Sequence, residues 1–279
     1  MLDTTKLFED IETTPDKLPS YRIERIDSHG SVMYTYVLLP DGGFEGKRPC
    51  VLMFHGFPGF VRNDDLAHAL RRIGCVVVMP YHRGAWGSGG TYSFSHTIED
   101  AVVAAEWVST PETCEKYNID TENIFTLGHS MGGHTTLNAV KQLPFIRGMI
   151  LLAPYDVNFN FRNDSVSQLE LLISLGDILK VDSPTSLIED ARSNHESFDF
   201  RTAFDAVEDK HMLFIGGSND PLAPPADMIE PLWNMLDAHK TPANQKYLVY
   251  PTTHGLDSHR NTLMKDVAAW LAEIVNANA

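Results

Sequence analysis

Cysteine is scarce in this chain: three residues in 279, at positions 50, 75 and 114. An odd, widely spaced set makes no disulfide framework, and Cys50 and Cys75 each sit inside an apolar run, so reduced thiols and a cytoplasmic location are expected. Long apolar runs are missing as well. No stretch reaches the roughly 18 residues a membrane-spanning helix needs, and the opening MLDTTKLFEDIETTPDKLPS shows neither the basic start nor the apolar core of a leader. Basic residues are few: 22 Lys and Arg against 37 Asp and Glu give a net charge of −15, which repels phosphate backbones and anionic lipid alike. Neither nucleic acid nor a membrane is an expected partner, and the scattered acidic residues read as solvated surface. Phosphate and metal motifs are also lacking. YHRGAWGSGGTYS is rich in glycine but has no G-x-G-x-x-G spacing and no Gly-Lys-Ser/Thr, and the twelve histidines show no H-E-x-x-H. No cofactor and no metal are expected.

What is present is a 43 % hydrophobic composition, enough for a sizeable core. After a polar arm of residues 1–20, YRIERID and SVMYTYVLLP alternate in polarity around Ser28-His29-Gly30 and read as an antiparallel hairpin. Six short apolar runs follow: CVLMF, CVVVM, NIFTLG, GMILLA, HMLFIG and QKYLVY. Each reads as a buried strand. Segments of helical period lie between most of them, such as Leu66, Ala69, Leu70 and Ile73, so the chain is α/β: one domain with a mostly parallel, eight-stranded sheet and helices on both faces. Residues 155–205 break the alternation. They contain SQLELLISLGDILK, read as a helical insertion before the penultimate strand, a cap over strand ends where ligands bind in open α/β sheets. Its Leu169, Leu172, Ile173 and Leu175 either line a pocket or pack in the core.

NIFTLGHSMGGHTTLNAV places Gly128-His129-Ser130-Met131-Gly132 between a strand and a helix, the context that gives G-x-S-x-G its meaning. So tight a turn leaves no room for a Cβ at 128 or 132, and it raises the Ser130 hydroxyl at a helix N-terminus. A serine needs a histidine to take its proton and a carboxylate to orient that histidine. Both are expected after late strands. GSNDPLAPP follows HMLFIG and offers Asp220; PTTHGLDSHR follows QKYLVY and offers His254. His259 lies too far into the last helix, Asp205 and Asp209 precede their strand, and His129 and His134 sit too near Ser130 in sequence to reach its Oγ in line. The tetrahedral intermediate needs N–H donors. His55-Gly56-Phe57-Pro58-Gly59 bends after CVLMF, and Pro58 has no N–H, so the backbone N–H groups of Phe57 and Met131 are the expected oxyanion pair.

GHSMGG, HGFPG, YHRGAWGSGG, SNDPLAP and PTTHG, in that order, resemble the α/β-hydrolase superfamily over about residues 20–275. The loops are similar to small carboxylesterases of the cinnamoyl/feruloyl esterase kind and to prolyl-oligopeptidase-type catalytic domains. The resemblance implies Ser130 as nucleophile, His254 as base then acid, Asp220 as orienting acid, and an acyl-serine intermediate formed without cofactor. Relatives often carry Arg-Gly-x-Gly-x-Ser, whereas Arg83-Gly84-Ala85-Trp86-Gly87-Ser88 is one residue longer. The expected substrate is a small or medium acyl ester, a small-molecule partner. The alternatives are a small serine peptidase or aminopeptidase, for which Glu170, Asp177 and Glu189 are the candidate ammonium partners, and a non-catalytic binding protein on the same scaffold.

Overall fold

The computed structural model describes residues 1–10, 14, 15 and 17–277. The eight strands are β1 (Ser20–Ser28), β2 (Ser31–Leu39), β3 (Arg48–Phe54), β4 (Val76–Pro80), β5 (Ile119–His129), β6 (Gly148–Leu152), β7 (His211–Gly217) and β8 (Gln245–Tyr250). They form one sheet in the order β1-β2-β4-β3-β5-β6-β7-β8. The β1–β2 and β2–β4 pairs are antiparallel and every other pair is parallel. Every apolar run read as a strand is one, although QKYLVY, expected to be buried, forms the edge strand β8 with only Tyr250 buried, and the hairpin turns where Ser28↔Ser31 closes its register.

Side chains of β3 show why the sheet needs two helical layers. Cys50, Leu52 and Phe54 point into one core, Val51 and Met53 into the other, and all are buried. The first core is covered by α2 (Phe94–Ser109), α3 (Pro111–Tyr117) and α4 (Met131–Val140), and later in the chain by α8 (Phe204–Val207) and α10 (Glu230–His239). The second is covered by α1 (Asp64–Arg72) and α11 (Arg260–Asn276), whose Trp270 meets Phe125 edge to face. Apolar area on both faces of each central strand is what makes the sequences of β3 to β7 continuous rather than alternating. The cysteines are unpaired and buried, and burial pushes the Cys75 thiol up to about 12.

The polar arm is a partial correction. Thr4–Phe8 forms a 3-10 turn whose Leu7, with Leu2, is buried against the α1/α11 core. The two leucines are too few for a pattern to reveal, and residues 11–13 and 16 of the arm lie outside the described residues.

Between β6 and β7 run α5 (Val157–Arg162), α6 (Val166–Ile173) and α7 (Ser186–Phe198), followed by α8; α9 (Pro225–Met228) follows β7. The helix expected over SQLELLISLGDILK stops at Ile173. There the chain tightens into turns, and Gly176 presses on the Phe57 ring where a Cβ would overlap it. The turn is stitched to the loop after β4 through the backbone: Lys180 N donates to Gly84 O at 2.9 Å and Tyr92 N to Lys180 O at 2.7 Å. Gly84 is required, because its φ is +74° and a Cβ would overlap Tyr92 N.

That loop is anchored from below by Asp100 on α2. The Asp100 side chain is fully buried and accepts from Arg83 Nε at 2.6 Å, Arg83 N at 2.8 Å and Ser28 Oγ at 2.5 Å. Burial opposes its charge, yet contact with His82 and these donors lowers the carboxyl to about 2. Arg83 thus ties the loop to α2. Removing one member of a buried ion pair strands the other without water. Asp100→Ala is expected to cost about 3–5 kcal/mol, read as a lower denaturation midpoint; a midpoint matching the parent protein contradicts the anchoring role.

Candidate active site

β5 ends at His129, and the next residue, Ser130, adopts φ 56° and ψ −120°, backbone that a non-glycine residue holds only under constraint. The constraint is visible. Ser130 N donates to Leu152 O at 2.9 Å, while Gly133 N and Tyr155 N donate to Ser130 O at 2.9 and 3.0 Å, so the ends of β6 and α4 grip the residue from two sides. A Cβ on Gly128 would overlap the Gly132 carbonyl, and one on Gly132 the carbonyl of Phe54. The sequence reading identified both glycines. It missed Gly133, whose added Cβ would lie 2.5 Å from that of Pro154.

Asp220 follows β7 and His254 follows β8, so the parallel register delivers all three side chains to one edge of the sheet. His254 Nε2 lies 2.8 Å from Ser130 Oγ, and His254 Nδ1 lies 2.7 Å from Asp220 Oδ2. Asp220 Oδ1 accepts from Leu222 N and Ala223 N, each at 2.9 Å. Burial works against the Asp220 charge, but bonds from His254 and these two N–H groups outweigh it and hold the carboxyl below its ordinary value. An ionised carboxylate only accepts, so His254 Nδ1 donates to it, leaving Nε2 to accept from the serine hydroxyl.

Met131 opens α4, and Phe57 lies on the loop after β3, on the wall of the same cavity. Among the described residues neither N–H is taken by another backbone carbonyl. The peptide bond from Phe57 to Pro58 is cis. The cavity measures about 150 Å³, and beside Ser130, His129 and His254 its walls are Gly56, Phe57, Pro58, Phe60, Val61 and Leu222. Clefts of about 360 and 430 Å³ elsewhere bring, among the described residues, no histidine beside a nucleophile.

Of the side chains set aside in the sequence, His129 lies on the cavity wall and His259, His134, Asp205 and Asp209 do not. His259 stacks on Tyr250, His134 is buried between Phe94 and Phe198, and Asp209 bonds Thr241 and His239. Glu208, Asp209 and His239 come close enough to share an ion, but they pair with one another at the surface, away from Ser130. Of the insertion leucines, Leu169 is buried in the core under the insertion, Leu175 is exposed, and none of Leu169, Leu172, Ile173 and Leu175 lines the cavity. Core packing accounts for Leu169.

Two contacts had no signal in the sequence. His129 Nε2 lies 2.9 Å from the His254 carbonyl and donates to it, tying the end of β5 to the loop after β8. Arg260 bonds Gly255 O at 3.2 Å and Asn63 Oδ1 at 2.9 Å, linking that loop to the chain before α1.

A family model described as serine aminopeptidase, S33, matches residues 45–156. Among solved structures, the chain is similar to Est1E from Butyrivibrio proteoclasticus with ferulic acid bound, at 18 % identity and TM-score 0.66, over 90 % of this chain and 98 % of that one. It is similar to an esterase of Pyrobaculum calidifontis at 20 % identity and TM-score 0.62, over 91 % and 85 %. It also resembles a Mycobacterium tuberculosis puromycin-hydrolysing peptidase at 21 % identity and TM-score 0.68, over 94 % of this chain but 41 % of that one.

Two measurements follow from the site. Replacing His129 by Phe keeps a ring but removes the N–H that holds the His254 loop, while Gln keeps an N–H; turnover is expected to fall about ten- to a hundred-fold in the first and to recover in the second, at matched melting temperature. Equal turnover in both would contradict the tie. The second is pH dependence. Burial lowers His129 to about 4 and His55 and His134 to about 3, from 6.5. Between those values the unfolded chain binds more protons, so stability falls as pH drops from 6.5 towards 4. Asp156, raised from 3.8 to about 7 by burial and by Asp199, acts in the opposite sense, one group against three. Calorimetry should show the midpoint falling over this window; a flat or rising profile is the contrary result. The order of the strands, the turn at Ser130 and the matched structures together identify the fold of this chain as that of the α/β-hydrolases.

Proposed function

We propose that the chain is a serine hydrolase that cleaves carboxylic esters with small or medium acyl groups through an acyl-serine intermediate. The observation that carries this reading is the unbroken relay from Ser130 Oγ to His254 Nε2, and from His254 Nδ1 to Asp220, at 2.8 and 2.7 Å. As Ser130 Oγ attacks the ester carbonyl, His254 takes the hydroxyl proton, and Asp220 stabilises the imidazolium that results. The N–H groups of Phe57 and Met131 receive the oxyanion, where the N-terminus of α4 adds a favourable dipole. The carbonyl re-forms, the C–O bond to the alcohol breaks, and His254 returns its proton to the departing oxygen. Water then enters, loses a proton to His254 and releases the acid.

A peptidase is the second reading, favoured by the family match over residues 45–156. An aminopeptidase must neutralise a substrate ammonium, and among the described residues no carboxylate lines the cavity. Glu170, Asp177 and Glu189, the candidates for that task, are all exposed and off its walls. This supports the ester. A non-catalytic binding role leaves the aligned relay without a purpose.

A fluorophosphonate is expected to label Ser130, and p-nitrophenyl esters of graded length to be hydrolysed while aminoacyl p-nitroanilides are not. Ser130→Ala should abolish labelling and lower ester turnover on the order of a thousand-fold or more without unfolding the protein. Anilide turnover exceeding ester turnover moves the assignment to the peptidase, and an unlabelled protein to the binding role.

A further inference from the structure

Phe60 and Trp86 stand at the mouth of the cavity with 64 % and 42 % of their surface open to solvent. Their rings meet edge to face with centroids 5.9 Å apart, and Phe60 continues into the wall beside Ser130. Isolated exposed aromatic residues need no explanation, but two in contact at the rim of a site do. The backbone is bent to present them. Trp86 holds φ 49°, and Gly59 holds φ +112° where a Cβ would overlap the indole Nε1, so only glycine at 59 lets the indole sit against this loop. The charge nearest in sequence, Arg62, is turned to Asp64 at 2.8 Å and does not face the rings with a free partner.

The side of the site on which this pair lies follows from the proton relay. The departing alcohol must reach His254, because His254 protonates it. Arg260 fastens the His254 loop, at Gly255, to Asn63, so the segment containing Phe60 and Val61 stands on the His254 side. Met131, Tyr92 and Phe94 pack into the closed core beneath the insertion. We propose that Phe60 and Trp86 form the leaving-group subsite, a shelf that takes the aromatic alcohol portion of the ester. A third ring laid on the pair gains area and the edge-to-face geometry that aromatic groups favour. The alcohol leaves from this shelf with the His254 proton, opening the same route to the water that attacks the acyl-enzyme. This rests on the hydrolase reading above.

The test varies the alcohol while holding the acyl group constant: acetate esters of methanol, cyclohexylmethanol and benzyl alcohol. The parent protein is expected to prefer the benzyl ester by kcat/KM. Trp86→Ala should lower the benzyl-to-methyl ratio on the order of ten-fold, Trp86→Phe should restore most of it, and Phe60→Leu, which touches a different loop, should lower it in the same direction. The preference between acetyl and butyryl methyl esters should be the same in the parent and the Trp86 variants, because Trp86 lies off the cavity wall. Equal losses on all three alcohols, or a shift in acyl preference instead, overturn the subsite while leaving the hydrolase standing. A parent protein that hydrolyses none of the esters and takes no fluorophosphonate removes the hydrolase and the shelf together.

Discussion

The turn at Ser130 depends on three glycines, which let β5, α4, the end of β3 and Pro154 after β6 approach more closely than any side chain permits. Unfavourable φ and ψ at one serine are held there by hydrogen bonds from the neighbouring strand end and the first turn of the helix. The rest of the site inherits its accuracy from that contact. With the hydroxyl fixed against the sheet, the parallel register of β5 to β8 decides where the loops bearing Asp220 and His254 emerge. Further bonds then hold each loop: two backbone N–H groups on Asp220, the His129 ring on the His254 carbonyl, and Arg260 on Gly255.

The strands were legible because each central strand is covered on both faces, which writes an uninterrupted apolar run into the sequence. The trio Ser130, Asp220 and His254 was legible for a different reason: each follows a strand directly, so one-dimensional order stands in for proximity. What the sequence hid depends on partners far apart along it. Asp100 is an ordinary acidic residue within α2 until Arg83 and Ser28 meet it. Just past the end of α6 at Ile173, Gly176 lies against Phe57, 119 positions away, and helical periodicity carries no trace of that contact. The insertion leucines could have faced either way, because burial in a core and burial in a pocket leave the same residue types.

The imidazoles around the site divide by environment. His55 and His129 are buried and held uncharged well below neutrality, so neither adds a positive charge beside His254. Low polarity serves here to keep neighbours electrically silent, while Asp220 remains ionised for the histidine it faces. Of the two histidines on the cavity wall, His254 is the one that faces a carboxylate.

The attachment of the insertion has a consequence for how such a chain diversifies. Its turn at Gly176–Lys180 is fastened to the loop after β4 by backbone groups of Gly84, Tyr92 and Lys180, none of which depends on side-chain identity at position 180. Residues on the outer surface of this segment, such as Leu175, Ile178 and Lys180, can therefore be exchanged without undoing the seam. The architecture separates attachment from surface chemistry: drift in one leaves the other intact, and new surfaces can be tried above an unchanged sheet edge.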